Sequence, residues 1–177
     1  MKLTSVNVKP EQLLLDPNNY RFHDLDGYRP IINQRKYADV HVQDKTLSLL
    51  QFTPEFQLQS LKDSILTNGF IPLEQLVVEE YDTSDGKTRY LVVEGNRRIA
   101  AIKTLLDEYQ SGSISIPKDI MNTIREFRVI ELTGSKDERA SFKQVLMAIR
   151  HVAGIRAWGA YCKRPGSLIV IRPVASE

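Results

Sequence analysis

A chain of 177 residues with 42% hydrophobic and 26% charged side chains and a formal net charge of +2 has the make-up of an ordinary globular protein, with one main domain and part of a second. No apolar run approaches the roughly 20 residues that span a bilayer, and residues 1–10 lack the succession of charged, apolar and small residues of a secretory signal, so no membrane partner and a cytoplasmic location are expected. The single cysteine, Cys162, has no intrachain disulfide partner, and the three histidines are scattered without metal-ligand spacing, which predicts no structural metal site.

Residues 3–8 alternate apolar and polar side chains and predict a short strand, after which Pro10 and Glu11 open a helical turn that runs to residue 15. Asp16-Pro17-Asn18-Asn19 breaks it. Residues 20–44 are polar, contain Gly27 and Pro30 and carry weak periodicity, so they read as irregular. A short helix is expected over 46–51. A longer one starts at Pro54-Glu55, with Phe56, Leu58, Leu61, Ile65 and Leu66 on its apolar face and Gly69 as its C-cap. Two runs rich in Val, Leu and Tyr, 75–81 and 89–93, flank a polar turn and predict a β-hairpin.

The second of these strands ends at Glu94-Gly95 and a helix follows at once, its apolar residues Ile99, Ile102, Leu105 and Leu106 at helical spacing. Ser111-Gly112-Ser113 ends that helix, 117–125 predicts another short one, and 127–132 alternates as a returning strand. Thr133-Gly134-Ser135 is a junction. Beyond it Phe142, Val145, Leu146 and Ile149 mark an amphipathic helix introduced by Ser135 and Asp137-Glu138. Gly154 is expected to interrupt it, with a second helix beginning at Ile155.

A strand that ends in glycine and passes directly into a helix leaves backbone N–H groups without intrahelical partners, grouped at the positive end of the helix dipole. Such ends attract anions. In Glu94-Gly95-Asn96-Arg97-Arg98, Gly95 permits a tight turn and a close ligand approach, and two arginines supply planar, permanently charged donors suited to phosphate. The pentapeptide therefore describes a phosphate site, although a solvent-facing helix start with two surface arginines has the same sequence.

The order of four blocks is more specific than the pentapeptide. Asp16-Pro17-Asn18-Asn19-Tyr20-Arg21, the helix over 58–68, Gly69-Phe70-Ile71-Pro72-Leu73-Glu74-Gln75-Leu76, and Val92-Val93-Glu94-Gly95-Asn96-Arg97-Arg98-Ile99-Ala100-Ala101 together resemble the ParB N-terminal domain, whose fold is shared with sulfiredoxin. The resemblance covers residues 3–132, with 23–53 as an insertion. It implies an α+β fold, a small mixed sheet flanked by helices, in a domain over 1–135, followed by the start of a helical segment.

What the resemblance implies about chemistry is a nucleoside triphosphate, CTP or ATP, with or without Mg²⁺. Gly95, Asn96, Arg97 and Arg98 correspond to its phosphate contacts, and Gly69, Phe70 and Gln75 to the pocket wall. The chain departs from the family pattern in lacking a Gln-Pro pair near Gln75, which leaves the base undefined. Asn96 stands where sulfiredoxins carry a catalytic cysteine and where ParB proteins often carry glutamate. Sulfiredoxin activity is therefore excluded, and a hydrolytic carboxylate, if there is one, falls to Glu94. Two further activities of related proteins fit the same turn: a metal-dependent nuclease and a kinase of free serine, with Glu94 as catalytic carboxylate. A carboxylate beside two arginines is equally an ion-pair partner that orients them.

Residues 136–177 hold 8 basic and 3 acidic side chains, against 16 and 19 in residues 1–135. In ParB proteins a helix-turn-helix domain that reads DNA follows the nucleotide domain, and this basic segment resembles the beginning of one, with Gly154 in the turn and Arg150, His151, Arg156, Lys163 and Arg164 as DNA contacts. The same residues suit a helical hairpin with Trp158 and Tyr161 in its core. DNA is thus an expected partner, and a homodimer an admissible assembly. The apolar run 167–174 has no counterpart in the family pattern.

Overall fold

The alternation at the amino terminus does form a strand. In the computed structural model, which describes residues 1–71, 75–81 and 86–155, β1 (Lys2–Val8) pairs antiparallel with β5 (Phe127–Thr133), Val8 opposite Phe127 and Lys2 opposite Thr133. A single 3₁₀ turn, Pro10–Gln12, leads into the two-residue strand β2 (Leu13–Leu14), where a continuous helical turn to residue 15 was expected. Next come α1 (Val40–Phe52), α2 (Leu58–Asn68), β3 (Val77–Tyr81), β4 (Arg89–Glu94), α3 (Asn96–Gln110), α4 (Lys118–Arg125), β5 and α5 (Lys136–Ile155).

The strands form one five-stranded mixed sheet in the order β1-β5-β3-β4-β2, with β5 parallel to β3 and β2 parallel to β4. Among the described residues the fold is thus α+β, with five α-helices. The chain divides into two units, Met1–Ala140 and Ser141–Glu177, and the division falls within α5.

Side chains alternate across a sheet, and in the first unit the two faces carry different loads. One face sends Val8, Leu13, Leu15, Val78, Val92, Phe127 and Val129 into the main core with Leu50, Leu58, Ile65, Ile99, Ile102, Leu105, Ile120 and Ile124 of α1 to α4. The other face is partly covered. There Leu14 and Leu91 pack with Tyr37, Ile31, Ala38 and Tyr81.

Residues 20–44 are more ordered than their polarity predicts. Asn18 Nδ2 donates to the Ile31 carbonyl (2.9 Å) and to Tyr37 Oη (2.8 Å), and its Oδ1 accepts from Ile31 N–H (2.8 Å). Gln43 reaches Leu15 through both its amide groups, accepting from Leu15 N–H (2.8 Å) and donating to Leu15 O (2.9 Å), and also donates to Tyr37 O (2.7 Å). These bonds let α1 begin at Val40, six residues before the expected helix. The hairpin strand likewise starts at Val77, not Gln75, beside a register shift between Val77 and Val78.

The start of α5 is a reciprocal cap. Glu138 N–H donates to Ser135 Oγ (3.3 Å) and Ser135 N–H to Glu138 Oε2 (2.9 Å), which satisfies two otherwise unpaired donors. The helix continues through Gly154 to Ile155, so the expected interruption at Gly154 does not occur there. One glycine costs a helix about 1 kcal/mol, which leaves the helix intact. Val145 and Ile149 of its expected apolar face are exposed.

Candidate functional site

The parallel strands β2 and β4 point the same way, Leu13 beside Tyr90 and Leu14 beside Leu91, so the segments that leave them, beginning at Asp16 and Gly95, emerge together. One side chain binds the two exits. Asn96 is buried at 4% exposure; its Oδ1 accepts from Asp16 N–H (2.8 Å) and its Nδ2 donates to Val92 O (3.0 Å). The segments that begin at Asp16 and Gly95 are therefore neighbours in space.

At the turn itself, Gly95 has φ +106° and caps α3. A Cβ at this position would lie 2.0 Å from Leu76 Cδ2, and Leu76 is buried, its carbonyl accepting from Ile130 N–H at 2.8 Å. Glycine is thus required both by backbone conformation and by the close passage of the segment before β3. The first helical bond of α3 joins Ile99 N–H to Gly95 O (3.0 Å), so the N–H groups of Asn96, Arg97 and Arg98 precede the hydrogen-bonded ladder.

The side chains of the turn divide by role. Asn96 points inward and supports the backbone. Arg98 pairs with Glu94 one turn back, Nη2 to Oε1 3.7 Å, each side chain 17% exposed. Arg97 Nε is buried and has no hydrogen-bond partner among the described residues. Burial pushes the Arg97 guanidinium below the ordinary arginine value; Arg21 pushes it the same way, Tyr20 opposes, and Arg98 adds further repulsion. Arg21, in the segment 16–21, thus acts electrostatically on Arg97, an influence that was not singled out by sequence.

The expected pocket wall is less uniform. Gly69 caps α2 with φ +75°, and Phe70 N–H donates to Thr123 Oγ1 (2.9 Å). Phe70 is buried, its ring 4.9 Å from that of Phe127 between centroids, so its side chain belongs to the core. Gln75 is exposed. Leu76, the residue immediately before β3, is the residue of this stretch that meets the turn. Arg150 and His151 lie on α5; Arg156, Lys163 and Arg164 fall outside the described residues.

A separate cleft of about 430 Å³ opens beside β2 and the start of β4, lined among others by Glu11, Gln43, Lys103 and Asp107. Burial lowers the Lys103 ammonium, with Asp107 and then Glu11 opposing. No group of three or more His, Cys, Asp or Glu side chains suited to a metal ion occurs among the described residues, and no helix there is long and apolar enough to cross a membrane. In comparison with known proteins, no family model, no curated protein and no solved structure matches the chain.

Proposed function

We propose that the chain is a nucleotide-binding module similar to the ParB N-terminal domain, gripping the phosphates of CTP or ATP at residues 95–98 and coupling that binding to DNA through the basic segment 136–177. The observation that carries the reading is the corner where β2 and β4 end together. A glycine with positive φ opens a 15-residue helix there, and Arg97 and Arg98 stand at its start. An anion at that corner meets backbone donors, the positive end of the helix dipole and guanidinium groups at once. The ordered family blocks turn an anion site into a nucleotide site, and Asn96 holding Asp16 supports treating the first and last of those blocks as one unit.

The basic segment gives the reading its second half. Duplex DNA carries a dense row of phosphates, and affinity gained through Lys and Arg falls steeply with salt. The excess of basic over acidic residues in 136–177, 8 to 3, suits that role, and the nucleotide acts as the switch on it in partition, transcriptional control or a mobile element.

Titration calorimetry of the full chain with CTP, ATP, GTP and ADP tests the central claim. At least one triphosphate binds, and Arg98→Ala abolishes or strongly weakens that binding, since a charge-assisted hydrogen bond is worth about 1.5–3 kcal/mol. Absence of heat with every nucleotide, at protein concentrations that detect millimolar affinity, removes the reading.

A further inference from the structure

The cleft beside β2 and the start of β4 is separate from the turn at residues 95–98. Lys103 on its wall stands two turns beyond Asn96 on α3, which is about 10 Å along the helix axis. The walls are preformed. Gln43 of α1 spends both amide groups on the backbone of Leu15 (2.8 and 2.9 Å) and reaches Tyr37 O as well (2.7 Å), so the helix is fixed against the strand edge. The volume of about 430 Å³ falls in the range of about 300–1,000 Å³ usual for small-molecule sites.

Charge is unevenly placed in this cleft. Lys103 is partly buried, whereas Glu11 and Asp107 are exposed, so the cation is the more sheltered group and the acids stand at the rim. Lys103 and Asp107 are one turn apart on α3, a spacing at which opposite charges commonly meet. Among the described residues, however, neither they nor Glu11 make a side-chain hydrogen bond or an ion pair. Burial lowers the Lys103 ammonium, and Asp107 and then Glu11 oppose it, which is attraction without contact. Lys87 and Arg89 also line the cleft, and both have partners. An ammonium drawn partly out of water with no group bonded to it costs the fold free energy, and a bound carboxylate removes that cost.

We propose that this cleft binds a small zwitterion of the α-amino acid type with a short aliphatic side chain, its carboxylate against Lys103 and its ammonium against Asp107 and Glu11. A plain carboxylate satisfies Lys103 but meets repulsion from the rim, and a plain amine satisfies the rim but is repelled by Lys103. A molecule that carries both charges on neighbouring atoms fits the order of charges from the interior of the cleft outwards. Leu47, partly buried where it lines the cleft, supplies apolar surface for the side chain.

Ligand-observed NMR titrations of the full chain, at neutral pH and fixed ionic strength, test this with leucine and its two half-molecules, 4-methylpentanoate and 3-methylbutylamine. Leucine binds, and each half-molecule binds at least about tenfold more weakly, as expected for the loss of one charge-assisted contact. Lys103→Met and Asp107→Asn each weaken leucine about tenfold, and Lys118→Met, which removes an exposed lysine on α4, leaves it unchanged. Lys103→Met melts no lower than the wild type, because the ammonium serves the ligand and not the fold. A half-molecule that binds as tightly as leucine, leucine binding that survives both Lys103→Met and Asp107→Asn, or no binding of leucine overturns the proposal. Should Lys103→Met fail to fold, Lys103→Gln and the exposed Asp107→Asn give the same comparison. The nucleotide reading of residues 95–98 stands or falls separately, since none of these probes carries a phosphate.

Discussion

Replacing Gly95 by alanine brings two independent penalties to bear on one atom. The first is conformational: at φ +106° an L-residue is strained by about 1–2 kcal/mol. The second is steric, because the new Cβ is built 2.0 Å from Leu76 Cδ2. Leu76 is 2% exposed and has nowhere to retreat except into the core, which costs about 1–3 kcal/mol in overpacking. Together they predict a loss of about 2–5 kcal/mol, and at about 2–4 °C per kcal/mol for a chain of this size a readily measured fall in melting temperature. Urea denaturation of four proteins separates the two penalties: wild type, Gly95→Ala, Leu76→Ala and the double variant. Leu76→Ala alone costs about 2–5 kcal/mol as a large-to-small core change. In its background, however, Gly95→Ala retains only the backbone penalty, so the second substitution costs about 1–3 kcal/mol less than it does in the wild type. Equal costs in the two backgrounds would refute the close contact, and a Gly95→Ala protein as stable as wild type would refute both penalties.

Two further predictions concern buried polar groups. Burial and then the Asp16 carboxylate, with smaller contributions from Tyr28, Tyr81 and Glu79, raise the Tyr37 hydroxyl to about 12 from an ordinary value of 10.0. A raised folded value means that the neutral phenol favours the fold, so its contribution is complete below pH 10 and is lost as pH climbs from 10 towards 12. Urea melts across that interval show a declining stability that is shallower in Tyr37→Phe, and an identical slope in the two proteins contradicts the assignment. Lys62 on α2 is buried and paired with Glu108 on α3. Removing the carboxylate leaves the ammonium buried and alone, so Glu108→Ala is expected to cost about 2–3 kcal/mol, whereas Lys62→Met, which replaces the cation with an apolar chain of similar length, is close to neutral. Equal denaturation midpoints for the two variants would argue against a buried unpaired charge as the cause.

Elements held by apolar periodicity were legible in the sequence. The alternation of residues 3–8 and 127–132 becomes the antiparallel pair β1 and β5, and the spacing of Ile99, Ile102 and Leu105 becomes the buried stripe of α3. Elements held by polar anchors were not. The first turn of α1 depends on Gln43 bonding to the backbone of Leu15 and Tyr37, and nothing in local sequence marks a glutamine as serving the backbone just past a strand, 28 residues away. Strand β2 escapes for a different reason: Leu13, Leu14 and Leu15 are all buried, with Leu14 in one cluster and its neighbours in the other, so they show no alternation. At the candidate site the glycine and arginines were visible as a local pattern, because they act through one turn. The closeness of Leu76 to Gly95 was not, because it joins residues far apart in the chain.

The position of Asn96 changes how the chemistry of the turn is argued. As a sequence position, it is where a cysteine or a glutamate would stand in proteins with a similar turn, and its identity invites a comparison of reactive groups. In the fold, both ends of its amide are engaged, with Asp16 N–H and with Val92 O, and an acidic side chain at this site would set a second oxygen against the Val92 carbonyl. A side chain so oriented shapes the corner without touching what lies over it. An anion bound at the corner, as proposed, would be met by backbone N–H groups and by arginines, groups that bind and stabilise charge but neither accept a proton nor attack. Glu94 is the carboxylate nearest in sequence, and it is held beside Arg98 at 3.7 Å, where its charge orients a guanidinium. The corner thus joins two segments, the loop that follows β2 and the helix that follows β4, through one buried asparagine.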